Sequence, residues 1–181
     1  KLPNGGRRTA RNSGVELQVI ERACYGFYYT LLYLCYCAGL RLSEARWLWV
    51  NDLDFARGVI HIRGKSWDNP KTGETETWVP KGNKERVIPM GALLKRHLTK
   101  VLTLRPDVTP FVICYEDGHP PTADTLSTRF RKICADAGVK SFPHLLRHSF
   151  ASAYVRGAAE KGELDIAKLQ EMLGPSPMKM A

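Results

Sequence analysis

From Val15 to Ala38 apolar side chains recur at helical spacing, at Leu17, Ile20, Cys24, Phe27, Leu31 and Leu34, and the run stops at Gly39. This periodicity predicts one long buried helix. A glycine just past the last turn is a common way for a helix to end. Such a helix needs cover on several sides. The chain has 181 residues, enough for one domain or a compact pair with a substantial core.

The cover is readable in outline. Ser43 reads as the N-cap of a short helix, Glu44 to Leu48. VNDLDF and GVIHIRG are short β-type runs separated by a turn at Ala56-Arg57-Gly58. Residues 64 to 75 are polar and turn-rich. TETWVPK and ERVIPM follow as further β-type runs, and together these predict a small antiparallel sheet. Gly91 to Leu104 is helical, with Pro106 closing it. FVICY reads as a short strand or extended link. Thr122 caps a helix to about Ala137, and Pro143 precedes a helix from His144 to about Arg156. Gly157 to Gly162 reads as a loop and Leu164 to Leu173 as a last helix. The expected class is α+β, mostly helical with a small antiparallel β-sheet on one edge. Residues 1–14 are Gly-, Asn- and Arg-rich without periodicity and read as a linker or arm, leaving 15–181 as the domain.

Charge points to a partner. Lys and Arg number 27 against 18 Asp and Glu, giving +9, the balance expected of a protein that meets a polyanion such as DNA. The five cysteines (24, 35, 37, 114, 134) fit neither a disulfide framework nor a zinc site, which suits a reducing cytoplasm. The apolar stretch Phe27 to Leu40 is too short to span a bilayer, which takes about 20 residues. No membrane role is expected.

Three clusters carry chemistry. In AGLRLSEARWL, Arg41 follows the glycine-terminated helix and Glu44 comes three residues later. In VPKGNKERVIPM, Lys81 stands at a turn between β-type runs. In FPHLLRHSFAS, His144 and Arg147 are spaced i, i+3 on one face of a helix near its N-terminus. Two guanidinium groups can hold the oxygens of one phosphodiester and stabilise charge that grows on it. A lysine can protonate a leaving alkoxide, and a histidine can donate to a phosphoryl oxygen. Neither a carboxylate cluster for two metals nor a Walker-type glycine loop is evident, so no cofactor is expected. Taken alone, Arg41 reads first as a salt bridge with Glu44 at a helix end, and only its context points to catalysis. Lys65, at the end of RGK, could reach the same space as Lys81. His148 reads as packed or hydrogen-bonded behind the site. His61 and His97 read as ordinary surface or half-buried positions. Trp47 and Trp49 read as packing between helix and sheet, and Arg129, Arg131 and Lys132 as a helix face that touches DNA or solvent.

The order of these clusters resembles the tyrosine recombinase family, that of the phage-type integrases. AGLRLSEARWLWVNDLDF is similar to its first box, G-L-R-x-S-E-L followed by a strand. PHLLRHSFAS is similar to its second, H-x-L-R-H-[ST]-F-A. PKGNKERVIPM resembles its lysine-bearing β-hairpin, and LQEMLGPSPMKM resembles its L-Q-x-L-L-G-H-S stretch. Together they span about Val15 to Ala181. The resemblance implies site-specific DNA recombination through a 3′-phosphotyrosyl intermediate, without ATP or metal, on double-stranded DNA, by a homo-oligomer (a tetramer on DNA). It implies that Arg41 and Arg147 clamp the scissile phosphate, that Glu44 supports them, that Lys81 is the general acid, and that His144 assists at the phosphate. Two departures follow. Pro175 stands where the family usually has His or Trp. The nucleophilic Tyr is expected a few residues beyond Ala181, since the seven tyrosines here lie in the wrong boxes. The sequence as given is therefore expected to be inactive unless a tail or a neighbouring protomer supplies that Tyr. The alternatives are a catalytically degenerate DNA-binding remnant of a recombinase and a type IB topoisomerase-like nicking enzyme.

Overall fold

The computed structural model describes residues 11–175. The first apolar run forms two helices where one was expected. Helix α1 (Gly14–Ala23) starts at Ser13, which exchanges capping hydrogen bonds with Glu16. The chain breaks at Gly26, whose φ of 53° and ψ of −139° lie outside the helical region and favour glycine. Helix α2 (Phe27–Cys37) then runs through the middle of the molecule, with Leu31, Leu34 and Cys35 fully enclosed.

Its end sets up the site. Gly39 has φ +65°, and a Cβ there would lie 2.5 Å from Phe150 Cδ1. Only glycine lets the chain turn so tightly against the helix that carries Phe150. Helix α3 (Leu42–Arg46) follows. Its cap is Arg41 rather than the expected Ser43: the Glu44 carboxylate folds back to accept the Arg41 backbone N–H at 2.7 Å.

The strands form two sheets instead of a single one. β1 (Leu53–Asp54), β2 (Val59–Ile62) and β5 (Arg86–Pro89) form an antiparallel sheet in the order β1-β2-β5, with Ile60 opposite Ile88 and Ile62 opposite Arg86. β3 (Lys65–Asp68) and β4 (Thr75–Trp78) pair as a separate hairpin. The expected polar loop of residues 64 to 75 is thus half strand, and the turn narrows to Asn69–Gly73, where the Gly73 N–H donates to the Asn69 carbonyl at 2.8 Å. Aromatic packing holds this hairpin to the domain. Trp47, Trp49 and Trp67 all meet the Phe111 ring, and Trp47 stacks on Trp78. The tryptophans at 47 and 49 therefore pack as the sequence suggested. FVICY contributes only a single bridge, Phe111 to Trp49.

Helix α4 (Ala92–Leu104) covers one side of α2 with Leu94 and Leu98, and His97 donates to or accepts from Thr30 Oγ1 at 3.0 Å. Helix α5 (Ala123–Asp136) is capped by Thr122. Helix α6 (Pro143–Glu160), with proline in its first turn, packs along α2 and continues through Gly157, where a loop was expected. Helix α7 (Ile166–Leu173) closes the domain against β5 and α6. The fold class is the expected one, mostly helical with small antiparallel sheets. Among the described residues no helix is long and apolar enough to cross a membrane.

Phe130 is fully enclosed in this core. Phe130→Ala is expected to cost about 3–5 kcal/mol, whereas Val15→Ala, on an exposed face, is expected to stay within about 0.5 kcal/mol. Denaturant unfolding of the two variants checks this, and equal losses would contradict the packing described.

Candidate active site

Four charged side chains from three elements meet at one corner of the domain. Arg41 and Glu44 come from the start of α3, Arg86 from β5, and Arg147 from the second turn of α6. Glu44 is the hub. Its side chain is only 1% exposed, and each of its oxygens accepts a hydrogen bond from both of two arginines. Arg41 donates from Nη1 to Oε1 at 2.8 Å and from its backbone N–H to Oε2 at 2.7 Å. Arg86 donates from Nη1 to Oε1 and from Nη2 to Oε2, both at 2.9 Å. A buried carboxylate is tolerable only with such partners. Burial by itself raises the Glu44 pKa, but the hydrogen bonds and charge of Arg86, joined by those of Arg41, hold it below the usual carboxylate range.

The two arginines picked out by the sequence turn their remaining donors toward the end of α7. Arg147 donates from Nη1 to the Gly39 carbonyl and from Nη2 to the Leu173 carbonyl, the latter at 2.5 Å. Arg41 Nη2 donates to the Pro175 carbonyl. Two backbone oxygens, each carrying partial negative charge, thus occupy the donors that face outward from the hub. Burial and the neighbouring Arg41 cation push the Arg147 pKa down to about 10, which leaves it cationic at neutral pH.

His144, one turn before Arg147, is exposed, and its Nε2 lies 3.0 Å from Nε2 of His148. Burial of part of the ring, then His148, Arg147 and Arg41, lower its pKa, which keeps the imidazole neutral at pH 7. His148 is hydrogen-bonded next to the site, as its sequence context suggested.

The two candidate lysines are placed differently. The Lys65 ammonium is 4% exposed, pairs with Asp52 at 2.9 Å, and lies over the rings of Trp49 and Trp78. Those contacts tie the start of β3 to Trp49 and Asp52, ahead of β1. Lys81 is exposed on the turn between β4 and β5, and among the described residues it forms no ion pair. The neighbouring Gly82 has φ +73°, and a Cβ there would sit 3.3 Å from the Pro175 ring. The Lys81 turn and Arg41 therefore approach Pro175 from two sides. Among the described residues no cluster of three or more His, Cys, Asp or Glu side chains could hold a metal ion.

Arg86 escaped the sequence reading. The signal was present: in ERVIPM the period-2 alternation that turns Ile88 and Met90 inward also turns Arg86 inward. An arginine on the core side of a strand demands a buried partner.

Comparisons with known proteins place the chain in a family and its fold among solved structures. The model of the "Phage integrase family" matches residues 17–181. The tyrosine recombinase XerA of Thermococcus onnurineus is 34% identical over 148 residues, covering 79% of this chain and 45% of that protein. The tyrosine recombinase XerC of Proteus mirabilis is 30% identical over 193 residues, covering 96% of this chain and 54% of that protein. The chain thus spans about half the length of the curated relatives it matches. Among solved structures, the Tn1549 transposon integrase in complex with a circular intermediate DNA superposes with a TM-score of 0.74 at 22% identity, over 99% of this chain and 62% of the other. The XerA recombinase superposes with a TM-score of 0.72 at 22% identity, over 92% and 56%.

The hub makes stability pH-dependent. The folded pKa of Glu44 is depressed, so its stabilisation is fully present above the unfolded value of about 4.3 and is lost as pH falls through the lower folded value. Glu44→Gln is expected to destabilise the protein at pH 7 and to flatten the loss of stability between neutral and acid pH. Denaturant unfolding across that range reads this out; parallel curves for both proteins would contradict it. The match of the family model to nearly the whole chain, on a fold shared with solved recombinases, shows that this chain belongs to the phage integrase family.

Proposed function

We propose that this chain is the catalytic domain of a site-specific DNA recombinase, which cuts and rejoins strands at a phosphodiester held by Arg41 and Arg147. The observation that carries this is the pair of guanidinium groups, anchored on one side and offering donors on the other to the oxygens of Leu173 and Pro175. A phosphodiester has two non-bridging oxygens that suit the same donors. The surplus of nine positive charges favours the encounter with DNA.

In this reading a tyrosine hydroxyl attacks phosphorus, a 3′-phosphotyrosyl bond forms, and the bond to the 5′ oxygen breaks. Lys81 delivers the proton that the leaving 5′ oxygen takes up. Arg41 and Arg147 stabilise the charge that builds on the non-bridging oxygens. His144, one turn before Arg147, donates to one of those oxygens. Attack by a 5′ hydroxyl on the phosphotyrosyl bond reverses the step and rejoins the strand. Among the described residues no tyrosine hydroxyl hydrogen-bonds to Arg41, Glu44, Arg86 or Arg147; Tyr29 and Tyr33, for example, donate to Glu21 of α1. The nucleophile is a tyrosine outside this sequence, from the same protein or a neighbouring protomer, and the working unit on DNA is a homo-oligomer.

In a protein that joins this domain to its tyrosine, Arg41→Ala is expected to lower covalent attachment to a suicide substrate by about 10²–10³. Duplex binding, read in parallel by a gel shift, should remain, because many other phosphate contacts carry it. Normal phosphotyrosyl formation by the variant would refute the assignment. Site-independent relaxation of supercoiled DNA would favour a type IB topoisomerase-like enzyme instead.

A further inference from the structure

We propose that Arg86 is a positioning residue of the phosphate site: it holds Glu44 so that Arg41 keeps a donor and a net positive charge for the anion. This rests on the reading of Arg41 and Arg147 as phosphate ligands.

The geometry is specific. The Arg86 side chain is 5% exposed and lies inward on β5 beside Ile88. Its two Nη atoms take the two Glu44 oxygens at 2.9 Å each, and its Nε donates to the Met172 carbonyl at 2.8 Å. The fork fixes the plane of the carboxylate, because rotating it would break both bonds at once. With that plane fixed, Glu44 offers Arg41 only one side-chain contact, through Nη1, and Arg41 Nη2 is left to face the Pro175 carbonyl.

Charge leads to the same conclusion. Glu44 carries one negative charge between two guanidinium groups. Without Arg86 it would form a neutral pair with Arg41, free to turn and take both Arg41 Nη groups. The anion site would then lose a donor and most of one charge, although Arg41 itself was unchanged. Arg86 also sets the path of the chain after α7. Met172 is tied to its Nε, and Gly174 passes so close that a Cβ there would lie 3.1 Å from Arg86 Nη1. A lysine keeps the charge but cannot hold two carboxylate oxygens and a carbonyl in one plane.

The test follows the side-chain Nε–H resonances of Arg41, Arg86 and Arg147 by NMR while this chain is titrated with a short duplex DNA. In the unaltered chain, Arg41 and Arg147 should shift while Arg86 stays in place and exchanges slowly. In Arg86→Lys the one binding event that both report should need about tenfold more DNA, a coupling of ordinary size for groups in one network, and at saturation Arg147 should shift as before while the Arg41 shift is lost. Unchanged shifts at saturation for both arginines, or equal loss of both, would overturn the proposal, since a merely structural loss affects the two alike. If neither arginine shifts in the unaltered chain, the phosphate-site reading itself fails and takes the proposal with it. Should Arg86→Lys not fold, the unaltered chain still decides: a fast-exchanging Arg86 Nε–H, or one that shifts on DNA binding, would contradict the role.

Discussion

The corner of the domain that holds the candidate site depends on one carboxylate, Glu44, enclosed between two guanidinium groups. Moving a charge out of water costs several kcal/mol even after relaxation, and the cost is offset only where geometry is good and every lone pair is used. Here each oxygen receives two donors, one from Arg41 and one from Arg86. The arrangement orients more than it stabilises. Two cations on one anion leave positive charge in excess, and the buried cation of Arg147 adds to it. That excess faces the end of α7, where main-chain oxygens now receive the donors.

The pieces come from distant parts of the chain, and the fold brings each one in at the end of an element. Gly39 turns the chain against Phe150 and so delivers Arg41 to the mouth of α3. The pairing of β2 with β5 places Arg86 opposite Ile62 on the core side. Pro143 starts α6 so that Arg147 falls in its second turn, within reach of the Gly39 carbonyl. The packing of α2 against α6 is therefore also what sets the spacing of the two arginines. A change deep in that contact would be felt at the site without touching a charged residue.

Much of this was legible in the residues. The Gly39 stop, the helices at Gly91, Thr122 and Pro143, and the clusters around Arg41, Lys81 and Arg147 follow from periodicity, caps and motif spacing. The misses have physical causes. Gly26 breaks the first helix because its backbone angles, not its hydropathy, decide there, so an apolar period of 3.6 runs straight across it. Ser43 looked like a cap, but the longer Glu44 side chain reached back to Arg41 first. The β3 strand was hidden among polar residues because it is held by Trp67 edge-on to Phe111 and, through its partner β4, by Trp78 stacked on Trp47, rather than by an apolar face. Spacing alone does not separate Lys65 from Lys81; only the fold shows Lys65 tied to Asp52 and Lys81 exposed. Arg86 is marked in the sequence only by the inward phase of a four-residue strand, a faint signal for one buried charge.

The most direct test of the central claim is a crystal structure of this chain with a short duplex DNA. The account predicts a backbone phosphate whose oxygens replace the Leu173 and Pro175 carbonyls on Arg147 and Arg41, with the Glu44–Arg86 pair unchanged. Duplex bound elsewhere, with both arginines still on those carbonyls, would contradict it.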